Sequence, residues 1–327
     1  MKGFSLVIGA LVATVTIATA TGESRAQDAF PSRTVKLIVP YPAGGGTDLL
    51  ARVLAQQLQQ KWKQSVIVEN VGGAEGNIGA EEVAHAAPDG YTLLFASPGP
   101  LTLNSLVYKK MPYDPAKWVP IALVATSPYV LVVSPQFPAT NLAQVIADAK
   151  AKPSTLTAAT PGVGGLGHFT TIEFEQRARV KLLLVPYAGL GPEIADVLGG
   201  HVNMMFDMMA TALPLYRAGK EKIVAVGATA RVAELPGVPT LAEAGVPGFR
   251  AVTFFGIVAP PGTPDALADK INRDVADCME EPAFVERTKA LGMNLAGGSR
   301  ADAAKFFAAE RSLWSKVADE AGLKPRE

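Results

Sequence analysis

Residues 34–48 read Thr34-Val35-Lys36-Leu37-Ile38-Val39-Pro40-Tyr41-Pro42-Ala43-Gly44-Gly45-Gly46-Thr47-Asp48, followed by Leu49, Leu50, Val53, Leu54, Leu58 and Trp62 at helical spacing. A β-branched apolar run, a triple glycine and an amphipathic period predict strand, glycine turn and helix in that order. Thr47 is placed to cap the helix, and Asp48 puts a carboxylate at its positive end. The same order follows at once. Val66-Ile67-Val68 reads as a strand, Gly72, Gly73 and Gly76 as a turn, and Ile78 to Ala87 as a helix stopped by Pro88-Asp89-Gly90 before the strand Tyr91–Phe95. Strands alternating with helices predict a parallel sheet covered on its faces, the α/β class.

Beyond Ser97, Pro98, Pro100, Pro112, Pro115 and Pro120 interrupt every helical period until the strand-like Tyr129–Val133, which puts a crossing into a second lobe near Ala125–Ser127. The second lobe repeats the grammar of the first: helix Leu142–Lys150, strand Thr155–Ala159, glycine turn Gly162–Gly167, helix Phe169–Arg177, strand Leu182–Val185, helix Pro192–Leu198, and strands Val202–Phe206 and Ile223–Val226. Ala251–Val258 reads as the return strand. The tail reads as helices only, one opened by Thr263-Pro264 and another by a Ser299/Asp302 capping box. Cys278 falls on the apolar stripe of Leu267, Ile271 and Val275, the place of a small buried hydrophobe.

The 327 residues carry 30 Lys+Arg against 30 Asp+Glu, a balance without the basic excess that nucleic acid demands. At 49% hydrophobic and 18% charged, the chain has the apolar surface of a folded protein. One cysteine excludes an intramolecular disulfide, and one Cys with three His offers no zinc-ligand spacing, so neither metal nor cofactor is expected. Residues 3–22 carry no charge and lead to Ser24-Arg25-Ala26, a small-x-small site before Gln27. That pattern predicts a signal peptide over residues 1–26, cleaved near Ala26, in preference to a membrane anchor, because no basic stop-transfer cluster follows.

Gly162-Val163-Gly164-Gly165-Leu166-Gly167 matches the dinucleotide fingerprint between a strand and a helix. The acid that should hold the ribose is missing, since the next strand ends Val185-Pro186-Tyr187-Ala188-Gly189. Backbone amides at such a turn suit a carboxylate as well as a phosphate. Spacing alone leaves open whether Gly44–Thr47 and Gly162–Gly167 grip anions across a cleft or are merely tight turns.

Tyr41–Asp48, Gly76-Asn77-Ile78-Gly79-Ala80, Pro88-Asp89-Gly90-Tyr91-Thr92-Leu93, Lys110-Met111-Pro112-Tyr113-Asp114, Val185-Pro186-Tyr187-Ala188-Gly189, Arg217-Ala218-Gly219-Lys220 and Ala259-Pro260-Pro261-Gly262-Thr263-Pro264 come in this order. Together they closely resemble the Bug receptors, the extracytoplasmic solute-binding components of tripartite tricarboxylate transporters, over residues 31–325. The resemblance implies a two-lobed periplasmic-binding-protein fold, type II-like, with two interlobe crossovers and a ligand cleft between the lobes. The lobes are then 27–125 plus 251–327 and 126–250. It also implies two pincers that hold a carboxylate through backbone amides, hydroxyls and waters. The first is Tyr41, Gly44, Gly45, Gly46, Thr47 and Asp48 with Ser97. The second is Thr160, Gly162, Gly164, Gly165 and His168, joined by Tyr187, Gly189 and Asp207. Where the family often has Ser and Lys, this chain has Gly165 and Ala188, which argues against tight binding of tricarboxylates such as citrate.

His168 could serve as a general base, but no nucleophile motif accompanies it, and orienting the glycine loop is the plainer role. Asp48 and Asp207 could be paired general acids, but the resemblance implies instead that they shape loops, position water or read a ligand hydroxyl or amine. Met204, Met205, Met208 and Met209 read as core and crossover packing, the alternative being that one of them lines an apolar portion of the cleft. The expected protein is a monomeric periplasmic receptor, not an enzyme, that captures a mono- or dicarboxylic acid and delivers it to the membrane permease. The alternative is a sensor that reports the same solute to a regulatory partner.

Overall fold

The computed structural model describes residues 30–160, 162, 164–187, 189–323 and 325. The expected signal peptide lies outside the described residues, as do Pro161, Val163 and Ala188. In chain order the elements are β1 (Val35–Val39), α1 (Gly46–Trp62), β2 (Val66–Asn70), α2 (Asn77–Ala84), β3 (Thr92–Ala96), α3 (Asn104–Val107), β4 (Val119–Val133), α4 (Leu142–Ala151) and β5 (Thr157–Thr160). There follow α5 (Leu166–Ala178), β6 (Leu183–Pro186), α6 (Leu190–Gly199), β7 (Met204–Met208), α7 (Met209–Arg217), β8 (Lys222–Val226), β9 (Val252–Ala259), α8 (Asp265–Glu280), α9 (Pro282–Ala290), β10 (Asn294–Leu295) and α10 (Arg300–Glu320).

The strands run β2-β1-β3-β9-β4-β7-β5-β6, with β8 and β10 also paired to β4. The β1–β2, β1–β3, β5–β6 and β5–β7 pairs are parallel, as the strand-turn-helix reading requires. β4 joins the two halves. Residues 119–128 pair antiparallel with β9, and from Tyr129 onward the strand pairs with β7 and β8. The prolines before Tyr129 therefore conceal a strand rather than exclude one. Pro120 stands at a register shift and Pro128 where the strand changes sheets, places that spare the missing N–H.

Each half-sheet is covered on both faces. In the first half α1 and α8 bury Leu50, Leu54, Leu58, Ile271 and Val275 on one side, while Ala80, Val83 and Phe307 cover the other. In the second, Val145, Phe169 and Phe174 pack one face, and Val197, Ala212 and Leu213 the other. Helix α10 serves both halves: Ala303 and Phe307 lie in the first core and fully buried Trp314 in the second. Cys278 is buried on the α8 stripe, and Met204, Met205 and Met209 are core residues, as their spacing predicts.

The capping expectations divide. The Ser299/Asp302 capping box is present. Helix α8 begins one residue later than expected, with Pro264 at its N-cap, and the tail is not wholly helical, because β10 pairs with β4. Thr47 does not cap α1; Gly45 does, and Thr47 sits inside the first turn. Helix α7 includes Pro214, an interior residue the sequence reading left without an element.

Candidate functional site

The two glycine turns have the same backbone. Gly44 takes φ +91° and Gly45, the N-cap of α1, takes φ −77° and ψ 167°. In the second, Gly164 takes φ +101° and Gly165, the N-cap of α5, takes φ −76° and ψ 167°. Only glycine adopts the first member of each pair without strain. In both, the residue four places on turns back. The Gly44 N–H donates to Asp48 Oδ2 at 2.9 Å, and the Gly164 N–H to His168 Nδ1 at 3.3 Å. Those two amides are committed inside the protein, so neither Gly44 nor Gly164 supplies a ligand donor. The unpaired amides of the first helical turns remain, at the positive ends of α1 and α5.

A cavity of about 470 Å³ lies between the turns, at the carboxyl ends of the parallel strands. Of the expected site residues, Tyr41, Gly45, Gly46, Thr47, Asp48, Ser97, Gly165, Gly189 and Asp207 line it; Gly44, Thr160, Gly162, Gly164, His168 and Tyr187 do not. These six support the walls. The Thr160 carbonyl accepts the amides of both Gly162 and Tyr187, tying the second turn to the next loop. Tyr187 points its hydroxyl at Asp196 at 2.7 Å, away from the cavity. His168 is buried and accepts a backbone amide at Nδ1, a loop-orienting role.

Asp48 has no free oxygen. Oδ2 takes Gly44 N–H and Arg52 Nε, while Oδ1 takes Asn70 Nδ2 at 2.9 Å and the second Arg52 contact. Burial alone would raise this carboxyl, but the bonds from Arg52, Gly44 and Asn70 outweigh it and hold the group below the ordinary carboxylate value. Ser97 Oγ donates to the Tyr41 hydroxyl at 2.8 Å, and burial pushes that phenol well above its ordinary value. The Tyr41 proton is thus retained and available to an acceptor in the cavity.

Asp207 is the reverse of Asp48. It is 1% exposed, its Oδ1 accepts the Met208 amide and the Thr211 hydroxyl, and its Oδ2 has no partner among the described residues. Burial pushes it up to about 7, against which the Thr211 and Met208 bonds only partly act. Among the lining residues absent from the expected set are Glu75, Tyr129, Met208 and Thr253. Glu75 lay hidden among Gly72, Gly73 and Gly76, whose clustering reads as an ordinary turn. An acid set between glycines at a strand's carboxyl end was the available signal.

Residues 50–323 match the model of the tripartite tricarboxylate transporter family receptor. The chain belongs to that family. Over 320 residues it is 35% identical to protein BugT of Bordetella pertussis, covering 97% of each chain. Among solved structures it is similar to R. palustris Rpa4515 with adipate (36% identity, TM-score 0.85, covering 91% of this chain and 100% of that one). It is also similar to MatC of Rhodopseudomonas palustris with bound malate (32%, TM-score 0.80, covering 88% and 99%). The fold is accordingly the two-lobed one of the periplasmic binding proteins, and the chain is a solute-binding receptor, not an enzyme. No helix among the described residues is long and apolar enough to cross a membrane.

Proposed function

We propose that this receptor works in the periplasm, after removal of residues 1–26, as a monomer that captures a small carboxylate and hands it to the membrane permease of a tripartite transporter. The lobes are 27–125 plus 251–327 and 126–250, and the ligand sits between them. One observation carries the reading: two turns of closely similar backbone aim helix N-termini into a single cavity whose described lining has no Lys, Arg or His. Anion recognition there falls to backbone amides and hydroxyls such as Thr47, Ser97 and Tyr41. The adipate and malate held by related receptors support small carboxylates as the ligand class.

A thermal-shift screen of the mature protein against mono- and dicarboxylates, sugars, nucleotides and cations tests it. Acids raise the melting temperature and the other classes do not. Stabilisation by a sugar with no response to any acid overturns the assignment. Uptake of the identified acid by cells with and without the permease then separates delivery from sensing.

A further inference from the structure

Three carboxyl groups are buried in one neighbourhood of the second lobe, Asp207 and, close enough to feel its charge, Glu193 and Glu221. Both oxygens of each glutamate and Oδ2 of Asp207 have no hydrogen-bond partner among the described residues. Only Asp207 of the three lines the cavity, near the end of β7. Its other oxygen, Oδ1, is fully used: it accepts the Met208 N–H at 2.7 Å and the Thr211 hydroxyl at 2.6 Å.

The groups around Asp207 bring no base to Oδ2. Tyr129 faces it from β4, Glu193 from α6, Glu221 from just before β8 and the Thr211 hydroxyl from α7. Charged and titratable groups on the neighbouring elements are turned to other partners. On α5 His168 accepts the Gly164 amide and Glu173 holds Arg177, on α6 Asp196 accepts the Tyr187 hydroxyl, and on β8 Lys222 donates to the Phe137 carbonyl. Across the cavity stand Tyr41, Asp48 with its Arg52, and Glu75, which has interactions of its own.

An ionised carboxylate is costly in such a place, and burial accordingly pushes Asp207 up to about 7. Two donors already occupy Oδ1, so the proton of the neutral form belongs on Oδ2. Asp207 then carries an O–H for which the described residues supply no acceptor. A buried donor in that state calls for an acceptor in the ligand.

Building on the receptor reading, we infer that the ligand is a dicarboxylate bound together with one proton, its first carboxylate at the glycine turns and its second sharing the proton of Asp207 Oδ2. A charged acceptor is favoured there over a carbonyl or hydroxyl, because charge-assisted hydrogen bonds are about twice as strong. The balance is simple: ionised Asp207, the ligand dianion and one proton from solvent give the complex. Two carboxylates that would repel each other instead hold a proton between them. Binding therefore raises Asp207 further, so affinity is greatest where the proton is already present and falls as pH rises through about 7. An ammonium in the same place would drive the proton off, the opposite sign.

Titration calorimetry of the mature protein from pH 6.5 to 8.5, where free linear dicarboxylates are dianions, measures this in buffers of different ionisation enthalpy. The probes are linear dicarboxylates, the monocarboxylates of matched length and the corresponding amino acids. The preferred dicarboxylate is expected to take up protons, rising towards one per ligand at pH 8.5, and to lose about tenfold in affinity per pH unit above 7. Asp207→Asn keeps a carbonyl oxygen for Met208 and Thr211 and places a permanent N–H donor where the proton was. It should bind that dicarboxylate about tenfold or more tighter than wild type at pH 8.5, with no proton uptake. Uptake that persists in Asp207→Asn overturns the inference, as does wild-type binding of the dicarboxylate without uptake. Tighter binding of the amino acid or the monocarboxylate than of the matched dicarboxylate overturns it too. The wild-type profile decides even if the variant fails to fold. If no acid of any kind binds, the receptor reading itself fails, which separates the two.

Discussion

His168 stands to Gly164 as Asp48 stands to Gly44: each lies four residues on, in the first turn of a helix, and turns its side chain back to accept the glycine's amide. One fold solution thus serves both lobes with different chemistry. Asp48 supplies a charged acceptor at 2.9 Å, reinforced by Arg52 and Asn70, and His168 a neutral ring nitrogen at 3.3 Å. The first turn is therefore the more strongly held, because hydrogen bonds to charged groups are roughly twice as strong.

Asp48→Ala is expected to cost about 2–3 kcal/mol of folding stability, since it strands the Gly44 amide and removes the charged acceptor that Arg52 and Asn70 share, while His168→Ala costs about 0.5–1.5 kcal/mol. The pH dependence has a definite sign. The folded Asp48 carboxyl is held below its unfolded value, so its contribution is present above the unfolded value and is lost as pH falls through the folded one. Urea unfolding across pH 3 to 7 should show the gap between wild type and Asp48→Ala closing at the acid end. A gap that is constant with pH, or equal costs for the two variants, contradicts this account.

Gly45 and Gly164 separate binding from folding. A Cβ on Gly45 meets nothing within 4 Å, and its φ of −77° suits any residue, so Gly45→Val fills the cavity rim in a folded protein. A Cβ on Gly164 would stand 2.9 Å from Val107 Cγ1 at φ +101°. Gly164→Ala should therefore destabilise by about 1–3 kcal/mol through overpacking and strain, with ligand affinity affected only through the loop. Circular dichroism melts beside calorimetry distinguish the two, and Gly45→Val binding with wild-type affinity removes the first turn from the site.

The strand-turn-helix repeats were legible because period and glycine placement are local properties, and nearly every helix and strand core read from the sequence is present. Boundaries were less so. Three successive glycines hide which one caps α1, and the hydroxyl of Thr47 drew the cap two residues too far. The first ten residues of β4 were illegible because proline denies an N–H, and only the partner strand tells whether that N–H was needed. The positions of the Tyr187 and Glu75 side chains were tertiary facts. Nothing in Val185–Gly189 says that the phenol turns to Asp196, nor does Gly72–Gly76 say that a carboxylate crosses a cavity.

Glu193 and Glu221 are buried acids with no hydrogen-bond partner on either oxygen among the described residues. Burial first, and then the nearby Asp207, pushes Glu193 up to about 9 and Glu221 up to about 8. Raised folded values favour the protein below the unfolded value, and that advantage is lost as pH rises towards the folded values. Glu193→Gln should thus leave the melting temperature nearly unchanged near pH 4.5 and raise it by about 2 °C or more at pH 8. A variant less stable than wild type at pH 8 means that ionised Glu193 is compensated after all.

The last test concerns the crossing between the lobes. Tyr129 N–H donates to the Ala251 carbonyl at 2.9 Å, Gly227 N–H to the Tyr129 carbonyl at 2.7 Å, and Ala251 N–H to the Gly227 carbonyl at 2.9 Å. Three backbone segments are thereby pinned where β4 changes sheets and the chain returns to the first half. The approach is too close for a side chain: a Cβ on Gly227 would stand 2.8 Å from the Ala251 carbonyl oxygen and 3.0 Å from that of Tyr129, and neither can yield without breaking a bond of the triangle. Gly227→Ala should cost about 2–3 kcal/mol. Because Tyr129 also lines the cavity, ligand affinity should fall with it. Gly237→Ala is the control, since its Cβ meets nothing within 4 Å and its φ is unstrained, and it should stay within about 0.5 kcal/mol of wild type. Urea unfolding of the three proteins, with calorimetry on each, measures both effects. A Gly227→Ala midpoint equal to that of Gly237→Ala would show that the crossing tolerates separation of its strands, and that the cavity's shape is set elsewhere.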